Sequence, residues 1–332
     1  MIGRVPPEPL RLSGEQPGRW DAMLASCGYE RRSRSIPEHK SDLIRERVAC
    51  TFPRHRELAY DDNRKFFAGA GWKIRDVDDA QFADFVPEWL ESLGTDRKLL
   101  RVAIDISSMT RDRMAHVFQA ITTYTGDAQL SVDLLYTPAE FSDPPAGTDL
   151  TWASGPVTPW FAGWTPFPNR PIAALVGLGY ETDKAVGALE YIEPGRVWIF
   201  TPTGEDDRYD SAMEEANPRL LEDIPSRLTG YKVERPRVPY RVDDPFECCS
   251  VLESLVYANA RTARPVMVPL GPKIFAACCL AVASLHRPKV AVWRVSSGPY
   301  ERPVDRESAG KVIGLRLTRD PSVKLDPAPR LT

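Results

Sequence analysis

Nothing in the sequence is apolar for long enough to span a bilayer: the longest such stretch, residues 274–285, falls short of the roughly 20 residues a helix needs. Residues 1–18 carry no apolar core of the kind that directs secretion. These absences predict a soluble cytoplasmic protein with no membrane association. A basic excess is missing too. The net charge is −3 and the pI about 5.9, which excludes a general nucleic-acid binder, because such proteins replace phosphate counterions with Lys and Arg.

Cysteine spacings that suit a metal are also missing. The six cysteines fall as Cys27, Cys50, Cys248-Cys249 and Cys278-Cys279, with no CxxC and no Cys/His pattern for tetrahedral zinc. No metal is expected, and the thiols read as small buried residues in a reducing compartment. Cys27 stands apart because it precedes Gly28 at an expected strand end, where a nearby helix start would lower its pKa and make it nucleophilic. Packing is the alternative. Only four histidines are present, and His116 and His286 fall on helices expected to pack against the core, so general-base chemistry by His is not expected. There is no G-x-G-x-x-G, Walker A, G-x-S-x-G or HExxH, which removes the common nicotinamide, P-loop, hydrolase and zinc-protease classes, and no cofactor is expected.

What is present centres on residues 101–124, RVAIDISSMTRDRMAHVFQAITTY. Val102, Ala103, Ile104 and Ile106 form the short apolar run of a strand inside a parallel sheet. Asp105, Ser107, Ser108, Thr110 and Arg111 then crowd its carboxyl end, and Met114, Val117, Phe118 and Ile121 follow at helical spacing. In an open α/β sheet that edge is where ligands dock. The turn therefore reads as a cradle for an anion or nucleotide.

The chain repeats itself around such turns. An expected strand at residues 21–26 ends in Cys27-Gly28-Tyr29-Glu30, and a stronger one at 172–178 ends in Gly179-Tyr180-Glu181. Each is followed by a helix, a strand that stops at Pro53 or Pro202, a Tyr-Asp helix start (Tyr60-Asp61 and Tyr209-Asp210) and an Asn, Asn63 or Asn217. Further helices at 79–93 and 245–260 lead to the strand at 101–106 and its counterpart at 265–270, whose turn is Gly271-Pro272-Lys273. Strands alternating with helices in the same order predict an α/β protein of two tandem Rossmann-like, doubly wound parallel units related by internal duplication. The expected organisation is residues 1–143, a Pro/Trp-rich strap at 144–170 with Trp152, Trp160 and Trp164, and residues 171–332 with an edge strand at 311–317. Polar loops with an aromatic, Phe141 or Tyr300, are expected after the last strands.

The segment Asp105-Ile106-Ser107-Ser108-Met109-Thr110-Arg111 fits [Asp/Asn]-x-[Ser/Thr]-x-x-x-[Arg/Lys] after a fourth strand. There the chain resembles the CRISPR-associated Rossmann fold (CARF) family, and as a tandem pair it resembles the SAVED sensors of bacterial antiphage signalling. The resemblance implies that the turns after strands one and four bind a cyclic oligonucleotide messenger and that two such domains complete one site. Asp105, Ser107 and Arg111 are the matched positions. The second unit departs from the pattern, since Pro269, Gly271 and Lys273 keep a small residue and a cation but lose the acid and the hydroxyl.

Residue chemistry suits the same ligand class. Ser107, Ser108, Thr110, Arg111 and Lys273 supply hydroxyls and cations for a phosphodiester; Tyr29 and Tyr180 offer stacking faces, Glu30 and Glu181 accept from a base or ribose, and Arg31, Arg32 and Arg34 add positive potential. The plain alternative makes Asp105 and the hydroxyls local caps and the Gly-Tyr-Glu turns structural corners. The first expectation is thus a sensor that binds a nucleotide-type messenger between its halves and signals to a separate effector protein. The second is a ring-nuclease-like enzyme in the same crevice, with Ser107, Ser108, Arg111 and Lys273 positioning the phosphate. The third is a scaffold subunit without a ligand. Arg111-x4-His116 and Arg34-x4-His39 match the spacing of the HEPN ribonuclease motif, but that fold is all-helical and neither copy sits between long helices.

Overall fold

Strands apolar on both faces belong in the middle of a parallel sheet, and the chain carries two such pairs. In the computed structural model, residues 8–9, 20–40, 44–93, 97–144, 153–181, 183–204, 206–221, 236–296 and 303–320 are described. Their contacts fall into two units, residues 1–140 with 303–332, and residues 141–302.

Unit 1 runs β1 (Glu8–Pro9), β2 (Trp20–Cys27), α1 (Ser35–Lys40), β3 (Ile44–Thr51), α2 (Tyr60–Gly69), β4 (Lys73–Arg75), α3 (Asp79–Leu93), β5 (Leu99–Asp105), α4 (Arg111–Thr123) and β6 (Gln129–Tyr136). Unit 2 runs β7 (Ala153–Pro156), β8 (Ile172–Gly177), α5 (Lys184–Ile192), β9 (Arg196–Thr203), α6 (Asp207–Ala216), α7 (Pro218–Leu221), β10 (Arg237–Arg241), α8 (Pro245–Asn259), β11 (Arg264–Pro269), α9 (Lys273–Leu285) and β12 (Ala291–Ser296), after which β13 (Ile313–Arg319) returns to unit 1.

The sheets read β1-β13-β6-β5-β2-β3-β4 and β10-β9-β8-β11-β12-β7. Counting each unit's parallel strands in chain order, both are 3-2-1-4-5, with parallel pairing throughout those five. Both carry an antiparallel strand beyond the fifth, β13 on β6 and β7 on β12. The fold is therefore α/β, two Rossmann-like doubly wound units of one topology. The central pairs β2/β5 and β8/β11 are the strands with nearly unbroken burial, and the strand order reverses between them.

Helices cover both faces of each sheet. In unit 1 α3 packs on α4, while Ile36, Tyr60, Phe67 and Trp72 join Met23, Ala25, Ala49 and Ala103 in one buried cluster. In unit 2 α8 packs on α9, while Ala185, Ala188, Leu189 and Met213 cover Ala174, Val176, Ile199 and Val268. α9 is apolar around nearly its whole circumference and almost entirely buried, as such a helix must be.

Two boundaries move from their expected places. Residues 303–320 belong to unit 1, because β13 pairs with β6 from Ile313↔Tyr136 to Arg319↔Leu130. The second half of the expected strap belongs to unit 2: β7 pairs with β12, and Phe161 is buried. Trp152 and Tyr300 lie outside the described residues. No helix among the described residues is long and apolar enough to cross a membrane.

Candidate functional site

β2 and β5 pair in parallel from Ala22↔Val102 to Leu24↔Ile104, so the turns after them emerge side by side where the strand order reverses. At such a point the two connections leave for opposite faces and open a crevice. The two turns meet at Gly28, at distances an added Cβ would tolerate. A Cβ there would meet the Phe52 ring at 3.5 Å and Ser108 Cβ at 3.9 Å.

The β5 turn is built on its own polar groups. Asp105 is buried and accepts from the Ser107 backbone N–H at 2.9 Å, which bends the chain out of the strand. Ser107 Oγ accepts from the Thr137 N–H at 2.9 Å, tying this turn to the one after β6. Met109 is fully buried beneath. Thr110 caps α4, its hydroxyl accepting from Arg113 N–H at 3.2 Å, as an N-cap threonine should. Arg111 is half-buried at the first turn of α4. Ser108 Oγ is buried without a hydrogen-bond partner among the described residues, as are the hydroxyls of Ser26 and Ser33.

The β2 turn is held by Asn63 of α2, whose amide donates to Gly28 O and Glu30 O, both at 2.9 Å. Glu30 is buried and paired with Arg32, whose guanidinium also reaches Thr137 O at 3.4 Å. Burial alone would pull the Arg32 guanidinium down, but Glu30 and Tyr136 beside it hold it above its ordinary value. The same burial pushes the Tyr136 phenol up. Tyr29 meets His55 edge to face, ring centroids 5.8 Å apart. Arg31 is exposed and pairs with Asp305 and Glu307.

Cys27 is not the activated nucleophile that its place before a glycine suggested. It is completely buried in the α1/α2 cluster, and desolvation pushes its thiol up to about 11. A thiol kept protonated is a packing group at neutral pH.

Unit 2 repeats the arrangement with glycine on both sides. A Cβ on Gly179 would lie 2.7 Å from Gly271 Cα, and one on Gly271, at φ +73°, would lie 2.2 Å from Leu178 O. The Glu181 carboxylate folds back over Gly179, within 2.1 Å of that same absent Cβ. Asn217, just past α6, donates to Gly179 O at 2.7 Å, as Asn63 does in unit 1. Tyr180 stacks on Tyr209, centroids 6.1 Å apart, and Tyr209 meets Phe141 edge to face. Pro272 precedes α9, and Lys273 is its first residue.

Sequence reasoning missed three features at these edges. Arg113 of α4, outside the expected stripe of Met114, Val117, Phe118 and Ile121, is fully buried, donating to Asp79 at 2.7 Å, Thr51 O at 2.7 Å and Val77 O at 2.9 Å between the rings of Phe52 and Phe82. Its i, i+3 relation to Thr110 is the only local hint. Lys184 at the start of α5 is buried as well. The third is the returning chain at 303–309, which no local pattern assigns to unit 1. Among the described residues, no group of His, Cys, Asp or Glu is placed to hold a metal ion.

No family model matches the chain, and no curated protein does. Among solved structures, the cytoplasmic domain of a prokaryotic cation chloride cotransporter aligns over 85% of this chain and 97% of its own, at 11% identity and a TM-score of 0.24. A likeness at that level carries no functional argument, and the fold stands on the strand order alone.

Proposed function

We propose that the chain is a ligand-sensing protein that takes a nucleotide-type second messenger, of the cyclic oligonucleotide class, at the carboxyl edge of the unit 1 sheet, and signals occupancy to a separate effector in bacterial antiphage defence. One observation carries the reading. The polar turn from Asp105 to Arg111 lies against Gly28 where the strand order reverses, with the Ser108 hydroxyl buried and unpartnered there. A phosphate oxygen reaching Ser108 would satisfy a hydroxyl whose burial alone costs about 1–3 kcal/mol, and Arg111 at the first turn of α4 adds charge of the matching sign.

Unit 2 carries the weaker version of the turn in this reading. Its backbones approach so closely at Gly179 and Gly271 that they leave little room at the same level, and its turn lacks the acid and hydroxyl pattern.

Calorimetry of the full chain against cyclic di-, tri- and tetranucleotides tests the proposal. Heat from at least one, lost in Ser108→Val and reduced at least about ten-fold in Arg111→Ala, is the expected result. Silence from the whole panel with folded protein would overturn it.

A further inference from the structure

Residues 303–309 lie on the carboxyl edge of unit 1 and are held there by polar contacts. Arg31 N–H donates to Asp305 Oδ1 at 2.8 Å, and Arg31 Nε meets the other Asp305 oxygen at 3.0 Å. Glu307 takes the far side of the same guanidinium. Backbone bonds run from Arg32 N–H to Arg306 O at 3.0 Å, from Glu140 N–H to Glu307 O at 2.9 Å and from Ala309 N–H to Pro138 O at 3.0 Å. Ser308 Oγ lies 2.6 Å from Thr137 Oγ1, and Thr137 N–H donates to Ser107 Oγ. Two hydrogen bonds thus connect the segment to the organising turn.

A carboxylate held by one backbone N–H and a guanidinium is bound as a phosphate oxygen would be. The segment has no apolar anchor, since none of residues 303–309 is buried, whereas Ile313 and Leu315 just beyond are. Gly310, at φ +76° with nothing within 4 Å of its absent Cβ, separates the two parts. Residues 303–309 can therefore lift while β13 stays in the sheet; the motion breaks three backbone hydrogen bonds and the Ser308–Thr137 bond, each worth about 0.5–1.5 kcal/mol net, and exposed ion pairs that add little.

We propose that residues 303–309 form an autoinhibitory strap in which Asp305 and Glu307 occupy Arg31 in place of an anionic ligand, so that binding at this edge displaces the strap. This rests on the nucleotide-site reading for its natural ligand, though not for its test.

The probe is inorganic pyrophosphate, titrated calorimetrically into the full chain and into its Asp305→Asn/Glu307→Gln variant, with amide hydrogen exchange recorded at Glu140 and Ala309. Removing two exposed pairs should tighten binding about ten-fold, Arg31→Ala in the variant should abolish the gain, and saturating pyrophosphate should speed exchange at both amides in the unaltered protein. Equal affinity with and without the carboxylates, including none in either, or unchanged exchange, overturns the strap. If the variant gains pyrophosphate affinity while every cyclic nucleotide is silent, the strap stands and the nucleotide reading falls; a nucleotide that binds without altering exchange gives the converse.

Discussion

Arg113 shows what a single buried cation does for a turn. Its guanidinium is completely enclosed, spans from α4 to the carbonyls of Thr51 and Val77, and meets Asp79, a carboxylate that is itself 54% exposed. Arg113→Met would leave both carbonyls unpaired and should lower unfolding stability by about 3 kcal/mol in urea titrations. Asp79→Asn should cost far less, because water already shares that partner. An equal loss in both variants would mean that the ion pair, rather than the carbonyl bonds, fixes α4. Glycines sort the same way. Gly271→Ala forces a side chain into a positive φ and against Leu178 O, so a loss of at least about 2 kcal/mol is expected, whereas Gly69→Ala in α2, with open space around it, should gain about 0.5–1 kcal/mol. The buried thiols set an alkaline limit. Desolvation pushes Cys27 from 9.0 to about 11 and Cys50 from 9.0 to about 12. Folded-state values above the unfolded one mean stability that is complete below pH 9 and lost as pH rises through about 11 to 12, because only the unfolded chain ionises early. Unfolding midpoints followed from pH 8 to 11 should fall, and Cys50→Ala should flatten the slope.

At the scale of elements, the legible parts were those whose neighbours are all protein. β2, β5, β8 and β11 are enclosed by strands and helices, so their middles are continuous apolar runs that announce themselves. α3 begins and ends at the expected residues because its 3.6-residue stripe of Phe82, Val86, Trp89 and Leu90 faces one core. β4 and β10 were not located, for the opposite reason. Each is an edge strand, and KIR or RVPYR is too short for its alternation to stand out from the neighbouring polar chain. The turns were legible as polar punctuation, but Glu30, read as an acceptor for a base, is committed to Arg32, a pairing two residues apart that alternation cannot suggest. The sequence assigns β13 to the second unit and the structure to the first, because strand pattern gives a period and not a partner. Its address lies in Asp133, a buried carboxylate in β6 that accepts from Trp20 Nε1 at 2.8 Å and takes a two-point contact from Arg316 at 2.6 and 2.9 Å. Arg316→Leu should strand that carboxylate and cost about 3 kcal/mol, with Asp133→Asn in the same chain recovering a large share. A double variant no more stable than Arg316→Leu would remove the charge pair as the register device.

For the whole molecule, the order of the chain and the order of the units differ, and that difference has a measurable consequence. Unit 2 is continuous from residue 141 to 302 and contains every strand of its sheet. Unit 1 is assembled from both ends of the chain, and its β6 edge is covered only when β13 arrives after unit 2 has been made. Uncovered, β6 presents a row of unpaired backbone groups, which is an aggregation template. Residues 141–302 produced alone should therefore unfold in one cooperative urea transition, while residues 1–140 alone should aggregate or unfold without cooperativity. Adding residues 303–332 as a peptide should restore the transition, since β13 supplies seven paired residues and Arg316 closes on Asp133. If residues 1–140 fold cooperatively by themselves, β13 is an accessory rather than the closing strand. The strap ahead of it would then be free to leave with the whole tail, and the hinge assigned to Gly310 would have no role.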